Sequence, residues 1–464
     1  LGRGLVRIAQ AQDQGALSCA RHSARAPAMA TLQWAMRPLP IHMLSLAMAT
    51  QLALGCAGDS SATPAPQDAA TAASPAAQSE ASSQEAPTPS DAGPHASAPA
   101  ASDAGLAWAA RHRDVARAIA DFLVRQQNGA GALPDYADGD AANEDSNMEY
   151  ALLGLGAAYA EFREPTYLAA LEGGIRWLAA RVEMTDPEWR GSFRYQYATS
   201  APYAPIATSP GAGIRDVRGV DTTSALFVYL LGLHARITGN AALAQEFAAQ
   251  AKAALNFVLT KDRMGDDPFT YSSWQQPEGG TTWQRYEYQY AADQGDVYLG
   301  LRAGAALYES GMDRRYAQAA QAIVDGVSAA FFLPREGRFA VGRSGPGAPD
   351  ESFEGFNGVF AQGYLGWVFG NAPETESAYR WLAGKATANG SLVCFDGDPR
   401  YTLSASTLVM AARRLGKTEP VASVDWLAAQ GKDGQLRDSA DPQSSVLSNC
   451  AGFALMALLG FEPF

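Results

Sequence analysis

Residues 221–238 read DTTSALFVYLLGLHARIT, and this stretch decides the fold. From Leu226 to Leu233 it is apolar or aromatic at every position except Gly232. A helix that is apolar all round has to be buried. The phrase recurs as DSNMEYALLGLGAAYAEF at 145–162 and DQGDVYLGLRAGAALYES at 293–310. Each copy opens on an acid (Asp145, Asp221, Asp293) and has a glycine eleven positions on (Gly156, Gly232, Gly304). The copies start 76 and 72 residues apart, and Asn449 with Gly460 makes a weaker fourth. A unit repeated at this spacing cannot bury its apolar face alone, so the copies must stack around a shared core.

Working outward, the pattern alternates. An amphipathic helix comes first, as Val115, Ile119, Phe122 and Leu123 show, then a polar loop, then a Gly/Ala-rich apolar helix. Six hairpins are predicted. The first helix of the chain pairs with 148–162, then 165–183 with 223–238 and 241–260 with 296–309. The last three pair 313–332 with 357–369, 374–387 with 403–415, and 420–431 with 450–460. A second marker follows most first helices: Gly131-Ala-Leu133, Gly191-Ser-Phe193, Gly337-Arg-Phe339, Gly390-Ser-Leu392 and Gly434-Gln-Leu436, with Asp267-Pro-Phe269 in the third hairpin. The glycine reads as a helix C-cap and the next apolar residue as an anchor for the loop. The all-apolar second helices would form an inner ring and the one-faced first helices an outer ring. That is an all-α (α/α)6 toroid. Over 106–464 the chain resembles the six-hairpin glycosidase superfamily, which implies a carbohydrate-active enzyme.

Residues 1–105 are of another kind. Met36-Arg37 followed by apolar 41–54 and Leu52-Ala-Leu-Gly-Cys56 resembles a bacterial lipoprotein signal, which implies lipidation at Cys56 and export to an outer membrane or cell surface. An ordinary cleaved signal is the plainer reading. Residues 1–56 are thus an upstream extension with its signal. Residues 57–105, rich in Ala, Ser, Pro and Thr, read as a disordered tether that cannot offset its ordering entropy. The remaining 106–464 carry 30 basic and 41 acidic groups, a net of −11. That surface argues against nucleic acid and polyanionic partners and fits a neutral or cationic glycan, bound by a monomer.

If the inner helices are parallel, their N-termini share one rim, beneath long loops at about 127–147, 185–222, 262–295 and 333–356. Structureless loops this long are usually functional. The acids delivered there, Asp145, Asp221, Asp293 and Asp296, suit glycoside hydrolysis, which needs two carboxylates across the scissile bond. The competing reading is that Asp is a good N-cap. Ala291-Ala-Asp293-Gln-Gly-Asp296 resembles the Ala-Ser/Thr-Asp-Ala/Gly-Asp signature of family 8 glycoside hydrolases, with one residue inserted. The resemblance implies that Asp293 or Asp296 acts on the water or the sugar. Trp274, Trp283, Tyr286 and Tyr288 in the third loop, with Arg285, and Tyr195 and Tyr197 in the second, are candidate sugar contacts. Plain packing of a long loop is the alternative for each.

The histidines His112 and His234 fall inside helices, away from the loop face, which argues against zinc and against a Ser-His-Asp triad. No cofactor is expected. Calcium stays open at Asp135, Asp138, Asp140, Glu144 and Asp145 and at Asp396-Gly-Asp398, although the first cluster fails the EF-hand spacing and solvated acidic loops are the default. Cys394 and Cys450 are either a disulfide or two buried thiols. The leading expectation is an exported glycoside hydrolase. A toroid-fold polysaccharide lyase and a non-catalytic glycan- or protein-binding lipoprotein are the alternatives.

Overall fold

The computed structural model describes residues 112–463, apart from 138, 208–212, 264, 352–354 and 395–397. The signal, the tether, Cys56, Asp138 and Asp396 lie outside the described residues. Six helical hairpins follow one another. α1 (Arg113–Gln126) turns into α2 (Asn147–Phe162), and α3 (Pro165–Ala179) into α4 (Asp221–Thr238). The third outer helix is broken at Phe247 into α5 (Ala242–Glu246) and α6 (Ala248–Phe257), and leads to α7 (Ala291–Tyr308). Then come α8 (Arg315–Phe331) with α9 (Gly355–Phe369), α10 (Pro373–Ala383) with α11 (Thr402–Arg414), and α12 (Val421–Gln430) with α13 (Ser448–Leu459).

The inner ring closes. α2 packs on α4, α4 on α7, α7 on α9, α9 on α11, α11 on α13, and α13 returns to α2. Burial explains the sorting. In α4 every residue from Asp221 to His234 is buried, whereas α1 buries only Ala116, Ile119, Ala120, Phe122 and Leu123. Three of the inner contacts are drawn in by glycine. A Cβ on Gly154 would sit 2.6 Å from Gly452 Cα (α2 on α13), one on Gly300 2.4 Å from the Ala225 carbonyl oxygen (α7 on α4), and one on Gly363 2.6 Å from Thr407 (α9 on α11). The ring is thus three tight helix pairs set side by side.

The repeated phrase has two halves, and they fare differently. Its glycines do pack: a Cβ on Gly156, Gly232 or Gly304 would fall within 2.8 Å of Leu233, Ala303 or Leu255. Its acids are not N-caps. Extended Val220 and Tyr290 hold the cap positions of α4 and α7, and Asp145 precedes α2 in a short 3-10 turn, Glu144–Ser146. Asp221 still reaches one orphan donor, accepting the Thr222 N–H at 2.8 Å, but from the first helical position.

The marker glycines are not C-caps either. Gly131 lies five residues past α1, at φ +95, and a Cβ there would meet the Gly173 carbonyl oxygen at 2.2 Å. Gly434, at φ +85, approaches the Ala118 carbonyl of α1 in the same way and so stitches the last hairpin under the first. Only glycine combines that φ with that approach. The anchor residues Leu133, Phe193, Phe269, Phe339, Leu392 and Leu436 are all buried.

The rim loops have structure of their own. β1 (Ala141–Ala142) pairs with β2 (Tyr197–Ala198), which ties loop one to loop two. β3 (Ile214–Arg218), β4 (Trp274–Pro277) and β5 (Gln284–Arg285) form an antiparallel sheet that ties loop two to loop three. Cys394 and Cys450 are two free buried thiols, not a disulfide. Cys394 Sγ lies 3.5 Å from Ser404 Oγ, and Cys450 meets Thr402. Ser404 and Thr402 point about 200° apart around α11, so the start of that helix stands between the sulfurs.

Candidate active site

The first two turns of the inner helices converge on one cleft. Asn147 and Tyr150 come from α2, Thr222 from α4, Asp293 from α7, Phe360 from α9, Leu403 from α11, and Asn449 and Phe453 from α13. The loops add Tyr195, Val217, Ser272, Ser273, Tyr286 and Val341. The space is about 1000 Å³, counting its open mouth.

Two of the four predicted acids, Asp145 and Asp293, line this cleft, and both are half-buried. Asp145 stands on an unusual backbone. Asn143, Asp145 and Ser146 have φ of 64, 47 and 69, the left-handed region that costs a non-glycine residue about 1–2 kcal/mol. Neighbours fix the turn. Asp135 Oδ2 accepts the Glu144 N–H at 3.0 Å, Asn143 Nδ2 donates to Glu149 Oε1 at 3.3 Å, and the Ser146 hydroxyl bonds those of Thr222 (2.6 Å) and Thr223 (3.0 Å). Asp135 is buried, so the reading of this acidic loop as solvated fails there.

Asp293 sits in the first turn of α7. The helix dipole there favours a charged carboxylate by under ~1 kcal/mol. Burial opposes it, and so do the carboxylates of Asp221, Asp145 and Asp296. Together they hold Asp293 well above the ordinary carboxylate range.

The other two acids lie behind the wall. Asp221 is fully buried, accepts Thr270 Oγ1 at 2.5 Å, and is pushed well up, chiefly by burial. Asp296 is buried under the floor. Its Oδ2 accepts the Tyr150 hydroxyl at 2.7 Å and its Oδ1 accepts the Tyr364 hydroxyl. Burial pushes it up to about 7 against those two hydrogen bonds. Its role is to hold Tyr150, which lines the cleft, and Tyr364, whose ring stacks at 5.2 Å on the cleft residue Phe360.

The predicted sugar contacts divide. Tyr195 and Tyr286 line the cleft. Trp274, Trp283, Arg285, Tyr288 and Tyr197 are not among its lining residues. Trp274 donates Nε1–H to buried Asp262 at 3.0 Å and packs edge-on to Trp189 at 5.5 Å. Trp283 meets Trp189 at the same distance, with the Arg218 guanidinium 4.1 Å over Trp189. Arg285 lies 4.1 Å over Tyr271 and pairs with Glu287 at 3.0 Å. The Tyr288 ring lies tilted between those of Tyr286 and Tyr290, and its hydroxyl donates to Asp350 at 3.3 Å. The Tyr197 hydroxyl accepts the Arg194 N–H at 2.8 Å, and its ring meets Trp177 edge-on. These five brace the rim. Asn147, Tyr150, Asn449, Ser272 and Ser273 were not predicted; Asn147 and Tyr150 lie two and five residues beyond Asp145, inside the phrase.

His234 is a core histidine bonded to Glu172 at 2.9 Å, and His112 bonds Asp425 at 3.0 Å. Among the described residues, no group of three His, Cys, Asp or Glu side chains is arranged to hold a metal ion.

No protein-family model matches the chain, and no curated protein sequence does either. Solved structures do. A variant glycosidase in complex with glucose aligns with TM-score 0.55 at 16% identity, covering 76% of this chain and 98% of that one. A cellobiose 2-epimerase from Bacillus thermoamylovorans aligns with TM-score 0.56 at 13% identity, covering 76% and 99%. A GH76 α-mannanase from Bacteroides thetaiotaomicron gives 0.50 at 12%, covering 77% and 96%. The chain therefore has the (α/α)6 toroid fold of the six-hairpin glycosidase-type enzymes.

Proposed function

We propose that the chain is a glycoside hydrolase acting on a neutral glycan, with Asp293 as general acid and Asp145 as its carboxylate partner. The observation that carries this is two carboxylates on one aromatic-walled cleft, one of them raised by burial and by its acidic neighbours. Hydrolysis requires a carboxyl that keeps a proton, with a second acid on the same cleft. Asp293 retains a proton to give to the glycosidic oxygen as the bond breaks. Asp145, presented by its strained turn, acts on the opposite side as base toward water or as nucleophile. Burial favours the protonated form of Asp293, and so does its crowding with Asp221, Asp145 and Asp296, since these carboxyls cannot all ionise together. Tyr195, Tyr286 and Phe453 offer ring faces to the sugar. The glucose bound to one structural neighbour and the mannanase activity named for another support a carbohydrate substrate.

The lyase alternative is weaker. Among the described residues, none that lines the cleft is Arg, Lys or His, so a uronate chain would meet carboxylates without a cation to neutralise it. We also propose that the protein acts outside the cytoplasm, anchored through Cys56 and spaced from the membrane by 57–105; the composition of residues 36–105 supports this.

The test incubates the full chain with neutral, cationic and uronic polysaccharides. New reducing ends from a neutral glycan, without the absorbance of unsaturated uronate, are the expected result. That absorbance would identify a lyase, and binding without products a non-catalytic protein. Asp293→Asn and Asp145→Asn should each lower kcat about 10²–10⁴-fold while the chain stays folded, with Asp293→Asn melting at or above wild type near neutral pH because it no longer carries a raised carboxyl. Full activity in either variant would refute its role.

A further inference from the structure

We infer that Asn147 and Asn449 form a subsite for a pair of neighbouring sugar hydroxyls in the cleft wall; the inference rests on the glycan reading above. Both residues line the cleft, and they are only 1% and 4% exposed. They face each other across the α2–α13 contact, where Gly154 and Gly452 bring the backbones together. Asn449 Nδ2 donates to Asn147 Oδ1 at 2.6 Å. The other end of each amide, Asn147 Nδ2 and Asn449 Oδ1, has no hydrogen-bond partner.

That leaves one donor end and one acceptor end unmatched on a bonded pair of amides in the cleft wall. Turning both amides over about χ2 preserves the count, because the inner pair reforms and again leaves one donor end and one acceptor end. Buried polar ends without partners are costly, and native proteins nearly always satisfy them with protein, water or ligand. A sugar diol matches the pair: one hydroxyl oxygen accepts from the amide N–H and the neighbouring hydroxyl donates to the amide oxygen. Neither end carries charge, so the subsite selects a neutral, hydroxylated ring. An analogue that lacks either hydroxyl leaves a buried amide end unpaired, and this is how polar sites discriminate.

The test is calorimetric titration of the full chain with D-glucose, D-mannose and the 2-, 3- and 4-deoxy glucoses, none of which requires turnover. At least one parent sugar should bind about tenfold tighter than one of its deoxy analogues, the equivalent of one hydrogen bond. That preference should vanish in Asn147→Ala and in Asn449→Ala. Asn449→Ser, which is less disruptive, carries the comparison if circular dichroism shows either alanine variant unfolded. No binding of any sugar, equal binding of parents and analogues, or a preference that survives in the folded variants would overturn the subsite and mark the amides as water-bound. A chain that cleaves glycans with unchanged KM in the variants loses the subsite and keeps the hydrolase reading. A chain that discriminates sugars but cleaves no glycan keeps the subsite and loses the hydrolase reading.

Discussion

Replacing Asp296 by Asn should reverse part of the stability that the native chain loses between about pH 4 and pH 7. The carboxyl is raised from an ordinary 3.8 to about 7, chiefly by burial. In that window the folded chain holds a proton that the unfolded chain has released. The unfolded state binds fewer protons, so stability falls as pH rises, by at most 1.36 kcal/mol per pH unit for one group. Over roughly three pH units the loss approaches about 4 kcal/mol. Asn cannot ionise and does not suffer it. At low pH the substitution has its own cost. Tyr150 and Tyr364 both donate to the carboxyl, and the amide offers an acceptor at one end only, so about 1 kcal/mol of hydrogen bonding is lost. The two curves must therefore cross near pH 4.5, where the native chain has already lost about 1 kcal/mol, with the variant about 1 kcal/mol less stable below about pH 3 and up to about 3 kcal/mol more stable at pH 8. An unfolding entropy of about 2.1 cal/mol/K per residue over some 350 folded residues makes 1 kcal/mol worth roughly 1.4 K in Tm. Asp221 and Asp293 are raised in the same direction and add to the slope in both proteins, so the reading is the difference between variant and wild type. Thermal melts at half-unit steps from pH 4.5 to 8.5 supply it. Parallel curves over the whole range would refute the placement of an ionising carboxyl beneath the two tyrosines.

Gly452→Ala should lower Tm by roughly 3 K, because the new Cβ would lie 2.1 Å from the Tyr150 carbonyl oxygen and overpacking of 1–3 kcal/mol or more exceeds the ~1 kcal/mol gain in helix propensity. Gly366→Ala meets nothing closer than Ala411 Cβ at 3.3 Å and should melt at or above wild type; equal losses in the two would refute the paired-helix packing of the inner ring. Cys394 and Cys450 should be silent to a thiol reagent in the native chain, since burial pushes both thiols up, and denaturation without reductant should add two reacting thiols per chain. A gain of none would restore the disulfide.

Much of this fold was legible because each hairpin states its burial pattern locally. Residues 223–238 are apolar all round and 313–332 are not, which places them in different rings without any tertiary information. The site was less legible. Asp296 and Asp293 are three residues apart on one helix, yet one lines the cleft and the other lies beneath it, because Tyr150 and Tyr364 arrive from α2 and α9. Nothing within 291–310 announces those tyrosines. Trp274 and Trp283 have the composition of a sugar platform, but the β3–β4–β5 sheet turns them toward Trp189 and Arg218 instead. The sheet is a pairing between distant loops, so local sequence does not specify it.

The repeated phrase yields different acids because its copies enter their helices at different points. Asp145 stands two residues before α2 begins, Asp221 is the first residue of α4, and Asp293 the third of α7. On a helix, two residues amount to about 3 Å along the axis and 200° around it. An acid at the first position of α4 therefore faces the packed wall and Thr270, while one at the third position of α7 faces the cleft. The glycine eleven positions on tolerates the offset, since it needs only some side chain of a neighbouring helix to fill the space it leaves. The ring thus keeps its packing while its rim loses its symmetry. A symmetric rim of capping acids would place like groups in like environments. The offset is what sets Asp293, on the cleft, apart from Asp221, in the packed wall.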